Sequence, residues 1–213
     1  MEDKNLTEKE SVELIARMIR NTKDRLELGQ GNVMLLWGYL SLAVAALVFA
    51  AAWWTRHPAC MWLWFLIPLI GFPAMMALQR KQIRKTETFA VSYVDKISAG
   101  LWKLVGFSAG IGMMWSVVFM LLGYDAWIVM FIFAFFVLGF ADAVQGVVIR
   151  EKSLVVGGAI GMTAGGFVCC CAVSGVALAW IWALPLYMAA FIAMFIIPGH
   201  LLNRKAERLC SKN

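Results

Sequence analysis

Six apolar stretches alternate with polar ones along this chain, and the lengths of the stretches set the first expectation. Residues 33–54 carry no charge and are bracketed by Asn32 and Thr55. At ~1.5 Å per helical residue, such a run crosses a hydrocarbon core of ~30 Å. Further runs cover 60–78, 154–173 and 177–198 without a charge, and 101–123 and 126–149 with one each, Lys103 and Asp142. In lipid the backbone must satisfy its own hydrogen bonds, so each run predicts a transmembrane helix. The expected fold is all-α: a polytopic bundle of six transmembrane helices with an N-terminal cytoplasmic amphipathic helix.

The polar segments divide the chain further. Residues 1–32 predict the amphipathic helix. Thr7-Glu8-Lys9-Glu10 fits a capping box at its start, Val12, Ile15, Ala16, Ile19 and Leu26 share a face, and Gly29-Gln30-Gly31 is its expected stop. Residues 33–78 form a hairpin of the first two spans, turning at 55–59. Pro68 and Pro73 free the carbonyls of Trp64 and Leu69, which predicts a kinked second span. The basic connection 79–100 carries Arg80, Lys81, Arg84 and Lys85, then Phe89, Tyr93 and Ile97 at four-residue spacing, an interfacial pattern. Short turns join the spans of 101–198 into an expected four-helix unit, and 199–213 is a polar, basic tail.

Composition agrees with this reading. The chain is 62% hydrophobic and 15% charged, with a mean hydropathy of +0.77, whereas soluble domains are about half apolar and a quarter charged. The net charge of +6 has a topological explanation. Of the 19 Lys and Arg, all but Arg56 fall on the side that holds both termini, as the positive-inside rule requires for cytoplasmic ends. No nucleic-acid partner is implied. Trp53, Trp54, Trp62, Trp64, Trp127, Trp180 and Trp182 fall toward the opposite ends of the spans, as an aromatic belt does.

The fifth span is rich in glycine. Gly157, Gly161 and Gly165 recur at i, i+4 and i+8, continued by Cys169. Such a stripe lets backbones approach closely, so this helix is expected to be the one the others pack against. Gly106 and Gly110 form a second small-xxx-small pair in the third span. A glycine face of this kind also suggests self-association.

Candidate chemistry is sparse. Asp142 is the one carboxylate inside a span, on a face shared with Gly139, Gln145, Gly146 and Ile149. An intramembrane acid costs ~2.5–3.5 kcal/mol on insertion scales and is a functional candidate by default. Asp142 with Gln145 suits a proton or cation, while an interhelical hydrogen bond is the plainer reading. Lys103 is a conceivable partner of poorly matched depth. Tyr39, Ser108, Ser116 and Thr163 are expected to bond helix carbonyls. Cys169–Cys171 are expected to fill small buried spaces, and a Cys60–Cys171 disulfide at the outer face is the less favoured reading. His57 and His200 have no second ligand at metal spacing, and no phosphate-binding, dinucleotide or hydrolase motif is present. The residues therefore imply no cofactor and no metal.

Several stretches resemble an uncharacterised family of six-span bacterial inner-membrane proteins of about this length: 6–19 (LTEKESVELIARMI), 35–41 (LLWGYLS), 62–71 (WLWFLIPLIG), 93–96 (YVDK) and 196–203 (IIPGHLLN). The resemblance runs over most of the chain. It implies the bacterial plasma membrane and brings no activity or catalytic residue. The expectation is a non-enzymatic protein that senses, organises or regulates. The N-terminal helix is expected to lie against the membrane surface or the loops beneath the bundle, a docked cytoplasmic protein being the sharper alternative; the other expected partners are the bilayer and a second copy. The alternative is a small proton- or cation-linked transporter or channel using Asp142 and Gln145.

Overall fold

The computed structural model describes residues 8–84, 93–124 and 126–210. The Thr7 cap, Phe89, Asp125 and 211–213 lie outside the described residues, as do the side chains of the stripe between Val12 and Leu26. Every regular element among the described residues is helical: α1 (Glu8–Thr55), a 3-10 segment (Pro58–Phe65), α2 (Leu66–Arg84), α3 (Tyr93–Leu121), α4 (Trp127–Ile132), a π turn (Phe133–Val137), α5 (Leu138–Ile149), α6 (Lys152–Val173), α7 (Trp180–Phe191), a second π turn (Ile192–Ile196) and α8 (Ile197–Cys210). Six stretches are long and apolar enough to cross a membrane: Gly31–Thr55, Pro58–Arg80, Lys96–Leu121, Trp127–Ile149, Lys152–Val173 and Trp180–Arg208.

Two expected helix boundaries do not exist. Gly29-Gln30-Gly31 does not stop the first helix, because α1 continues unbroken through it. Pro198-Gly199 does not end the sixth span, because α8 runs on to Cys210. Both glycines serve close approach instead. A Cβ on Gly31 would collide with the side-chain oxygen of Asn203 and lie 2.8 Å from the carbonyl of Gly199, and one on Gly199 would lie 2.9 Å from Leu35. The lost hydrogen bond of Pro198 falls beside the π turn, where the helical ladder is already rearranged. Beyond it α8 is amphipathic, with Leu202 and Ala206 buried and Arg204, Lys205 and Arg208 exposed.

The other ends are closed locally. Gly123 and Gly175 have positive φ of 89° and 71°, and the N–H groups one residue later reach back to Phe119 and Cys171 at 3.0 and 2.9 Å, a Schellman-type stop. Arg150 does the same at φ 60°, with Glu151 N–H donating to Gly146 at 2.8 Å. His57 caps the 3-10 segment, its Nδ1 accepting from Ala59 N–H at 3.1 Å. The discontinuity in the second span is this change from 3-10 to α winding, two residues before Pro68. Pro73 lies inside α2.

The helices do not separate into a hairpin and a four-helix unit. The first span runs along the sixth from end to end. Asn203 donates to Asn32 at 2.9 Å, Tyr39 pairs with His200 at 2.8 Å, and Ser41 is hydrogen-bonded to Tyr187. A Cβ on Gly38 would lie 2.9 Å from Phe195 and Ile196, and Trp53 meets Trp180 at a centroid distance of 5.9 Å. With α6 and the fourth span these helices enclose the core of Phe135, Leu154, Val168, Tyr187, Phe191 and Met194. Trp64 leaves the predicted belt for this core, packing edge-on against Tyr187 at 5.0 Å. The second and third spans lie outside, with Leu69, Leu104 and Phe107 about 70% exposed; with no aqueous hydrophobic effect to oppose it, such a surface suits lipid.

Candidate functional site

The fourth span carries the candidate site because α5 is wedged between α3 and α6. On its α6 side, a Cβ at Gly139 would lie 2.8 Å from the Gly158 carbonyl and the Met162 nitrogen, and one at Gly146 would lie 2.7 Å from the Val155 nitrogen. No side chain fits there, so α5 and α6 touch backbone to backbone. On the α3 side, Gln145 Nε2 donates to Ser98 Oγ at 3.0 Å, with both residues buried.

Asp142 lies between these two contacts, one turn before Gln145 and Gly146. Its side chain has no solvent exposure, and neither carboxylate oxygen has a hydrogen-bond partner among the described residues. Ser153, at the start of α6, likewise has a buried hydroxyl without a partner among them. Lys103 is exposed on α3 and makes no ion pair with Asp142; the ion pair between described residues is Lys205–Glu151, at 2.8 Å. Asp142, Gln145 and Ser98 supply carboxylate, amide and hydroxyl oxygens, which are the donors hard cations accept. A π turn at Phe133–Val137 precedes this stretch, and such insertions recur at functional positions.

The glycine positions divide into two groups. Gly157 and Gly161 face the sixth span: a Cβ on Gly157 would lie 2.6 Å from the Ala193 carbonyl, and one on Gly161 would collide with the Met194 sulfur. Gly165 instead meets the fourth span, 2.8 Å from the Phe136 nitrogen, on the side where Gly158 meets Gly139 and Ala143. Each i+4 step advances ~40° around a helix of 3.6 residues per turn, so the stripe winds from one neighbour to the other. Cys169 does not continue it. Cys169 and Cys170 are exposed, whereas Cys171 and Cys60 are buried; all four are free thiols, with Cys60 next to Thr55 Oγ1 at 3.1 Å. Gly106 and Gly110 form no contact of the expected kind, since a Cβ at either would meet nothing within 4 Å among the described residues. They lie on the outer face of α3.

Ser108, Ser116 and Thr163 bond carbonyls of their own helices, at Val105, Gly112 and Ala159. Tyr39 reaches the His200 imidazole rather than a carbonyl. Sequence reasoning passed over Ser98 because Asp95 and Lys96 made its segment look like linker. It also missed Ser41, although Ser41 is an obvious polar residue in an uncharged run.

Comparison with protein-family models, curated protein sequences and solved structures finds no match for this chain.

Proposed function

We propose that this chain is a non-enzymatic protein of the bacterial plasma membrane, with both ends in the cytoplasm. In this reading it serves sensing or regulation, and the junction of α3 with α5 is its responsive element. The carrying observation is Asp142, fully buried with both oxygens unpartnered among the described residues, one turn from the Gln145–Ser98 bond. A bare carboxylate in a span is costly, and a proton or a small cation removes that cost. Gaining or losing that occupant changes how α3 sits on α5. The third span is the natural element to respond, because most of its surface is free of other helices. The distribution of Lys and Arg supports the orientation.

Spin labels on α3 and α5, compared between wild type and Asp142→Asn in proteoliposomes at several pH and sodium concentrations, test this reading. The wild-type distance should change with conditions and that of Asp142→Asn should not. Invariance of both would reject it. The same carboxylate also favours a second reading, a small proton- or cation-linked transporter. Proton or sodium flux in liposomes that Asp142→Asn abolishes would select transport; background flux in both proteins would leave sensing.

A further inference from the structure

Leu35, Leu36 and Leu40 of α1 and Leu78 of α2 line an open groove of about 570 Å³, with Asn32 and Tyr39 as its polar members. That volume falls within the ~300–1,000 Å³ usual for small-molecule sites. From Asn32 to Leu40 the groove follows α1 for ~12 Å, at 1.5 Å per residue. Polar groups gather beside it where α8 crosses: Tyr39 with His200 at 2.8 Å, and Asn32 with Asn203 at 2.9 Å. Arg204 follows His200 by one helical turn and is exposed.

We propose that this groove holds a phospholipid of the inner leaflet, with one acyl chain along the leucines and an anionic headgroup against His200 and Arg204. The proposal rests on the orientation given above, which places this end of the bundle at the cytoplasmic surface. A leucine-lined trough is indifferent to headgroup, so the cationic rim would set the preference for an anionic lipid. A hydrocarbon chain suits the trough because its sides are apolar and it opens outward.

Native mass spectrometry of the full chain, released from detergent after exposure to equimolar phosphatidylglycerol and phosphatidylethanolamine, tests the proposal. Wild type should retain phosphatidylglycerol at least five-fold over phosphatidylethanolamine. Arg204→Gln should reduce that preference to less than two-fold, and Leu36→Trp, which fills the trough, should lower retention of both lipids. Leu104→Trp, on the exposed face of α3, should behave as wild type. A melting curve for each variant identifies any that has not folded; Arg204→Gln, at an exposed site, keeps the test decisive if Leu36→Trp fails. Equal retention of the two lipids by wild type, or an Arg204→Gln preference equal to that of wild type, would overturn the proposal. So would a dimer mass lost in Leu36→Trp, since a second copy would then occupy the groove. Asp142→Asn should leave lipid retention unchanged, so this result stands or falls apart from the role given to Asp142.

Discussion

Replacing single glycines by alanine should produce effects of opposite sign according to what the added methyl meets. At Gly158 the new Cβ would lie 2.6 Å from the Ala143 nitrogen and collide with the Gly139 carbonyl, both backbone atoms of α5. Backbone cannot swing aside, so α5 and α6 must separate by roughly 0.5–1 Å, a gap that forfeits about a quarter to a half of each dispersion contact it opens. In lipid, packing is the main force between helices, and overpacking of this kind costs ~1–3 kcal/mol. At Gly106 the same methyl meets nothing within 4 Å among the described residues, and alanine should gain ~0.4–1 kcal/mol through helix propensity and reduced unfolded-state freedom. Gly161 is intermediate, because its obstacle is the flexible end of Met194. Thermal unfolding in one detergent, followed by tryptophan fluorescence and size-exclusion recovery, should rank Gly106→Ala at or above wild type. Gly161→Ala should fall slightly below, and Gly158→Ala lowest, by roughly 3–10 °C. Equal losses at Gly106 and Gly158 would refute the assignment of α6 as the packed helix and the α3 glycines as outward.

Asp142→Asn should raise the melting temperature at high pH without added cation, where the carboxylate is charged and such a charge costs ~2.5–3.5 kcal/mol in a span; a fall under those conditions would mean that the carboxylate has a stabilising partner. Gln145→Leu should cost ~0.6–1.7 kcal/mol of stability, the range for interhelical hydrogen bonds in membranes, and should loosen α3 in hydrogen exchange while leaving α1 unchanged. Tyr39→Phe should cost ~0.6 kcal/mol, read in the same melting assay, because it removes the bond to His200. A membrane-permeant maleimide should label Cys169 and Cys170 before denaturation and Cys60 and Cys171 after it, as peptide mass mapping would show, in keeping with their exposure.

The number of spans and their approximate limits were legible because burial in lipid leaves a coarse, one-dimensional signature. Neighbour relations were not. Glycine at 31 and at 199 reads as a helix stop in a soluble protein, yet here both positions are where α1 and α8 touch. Pattern alone cannot tell a glycine that ends a helix from one that admits a partner. Gly106–Gly110 and Gly157–Gly161 have identical spacing, but one pair faces outward and the other faces the sixth span. The two π turns left no mark either, since an inserted residue shifts the phase of a run that is apolar on every side. Asp142 and Gln145 stood out as polar residues among apolar ones, whereas Ser98 was hidden by its charged neighbours.

The continuity of α1 has a mechanical consequence. Residues 8–30 and the apolar stretch Gly31–Thr55 belong to one helix of 48 residues, so no helix break separates the polar portion from the apolar one. At 1.5 Å per residue the polar portion is a lever of ~34 Å. If the first span tilts by ~10° against the sixth, the far tip sweeps ~6 Å, so a small rotation at the apolar end becomes a displacement of several ångströms at the polar one.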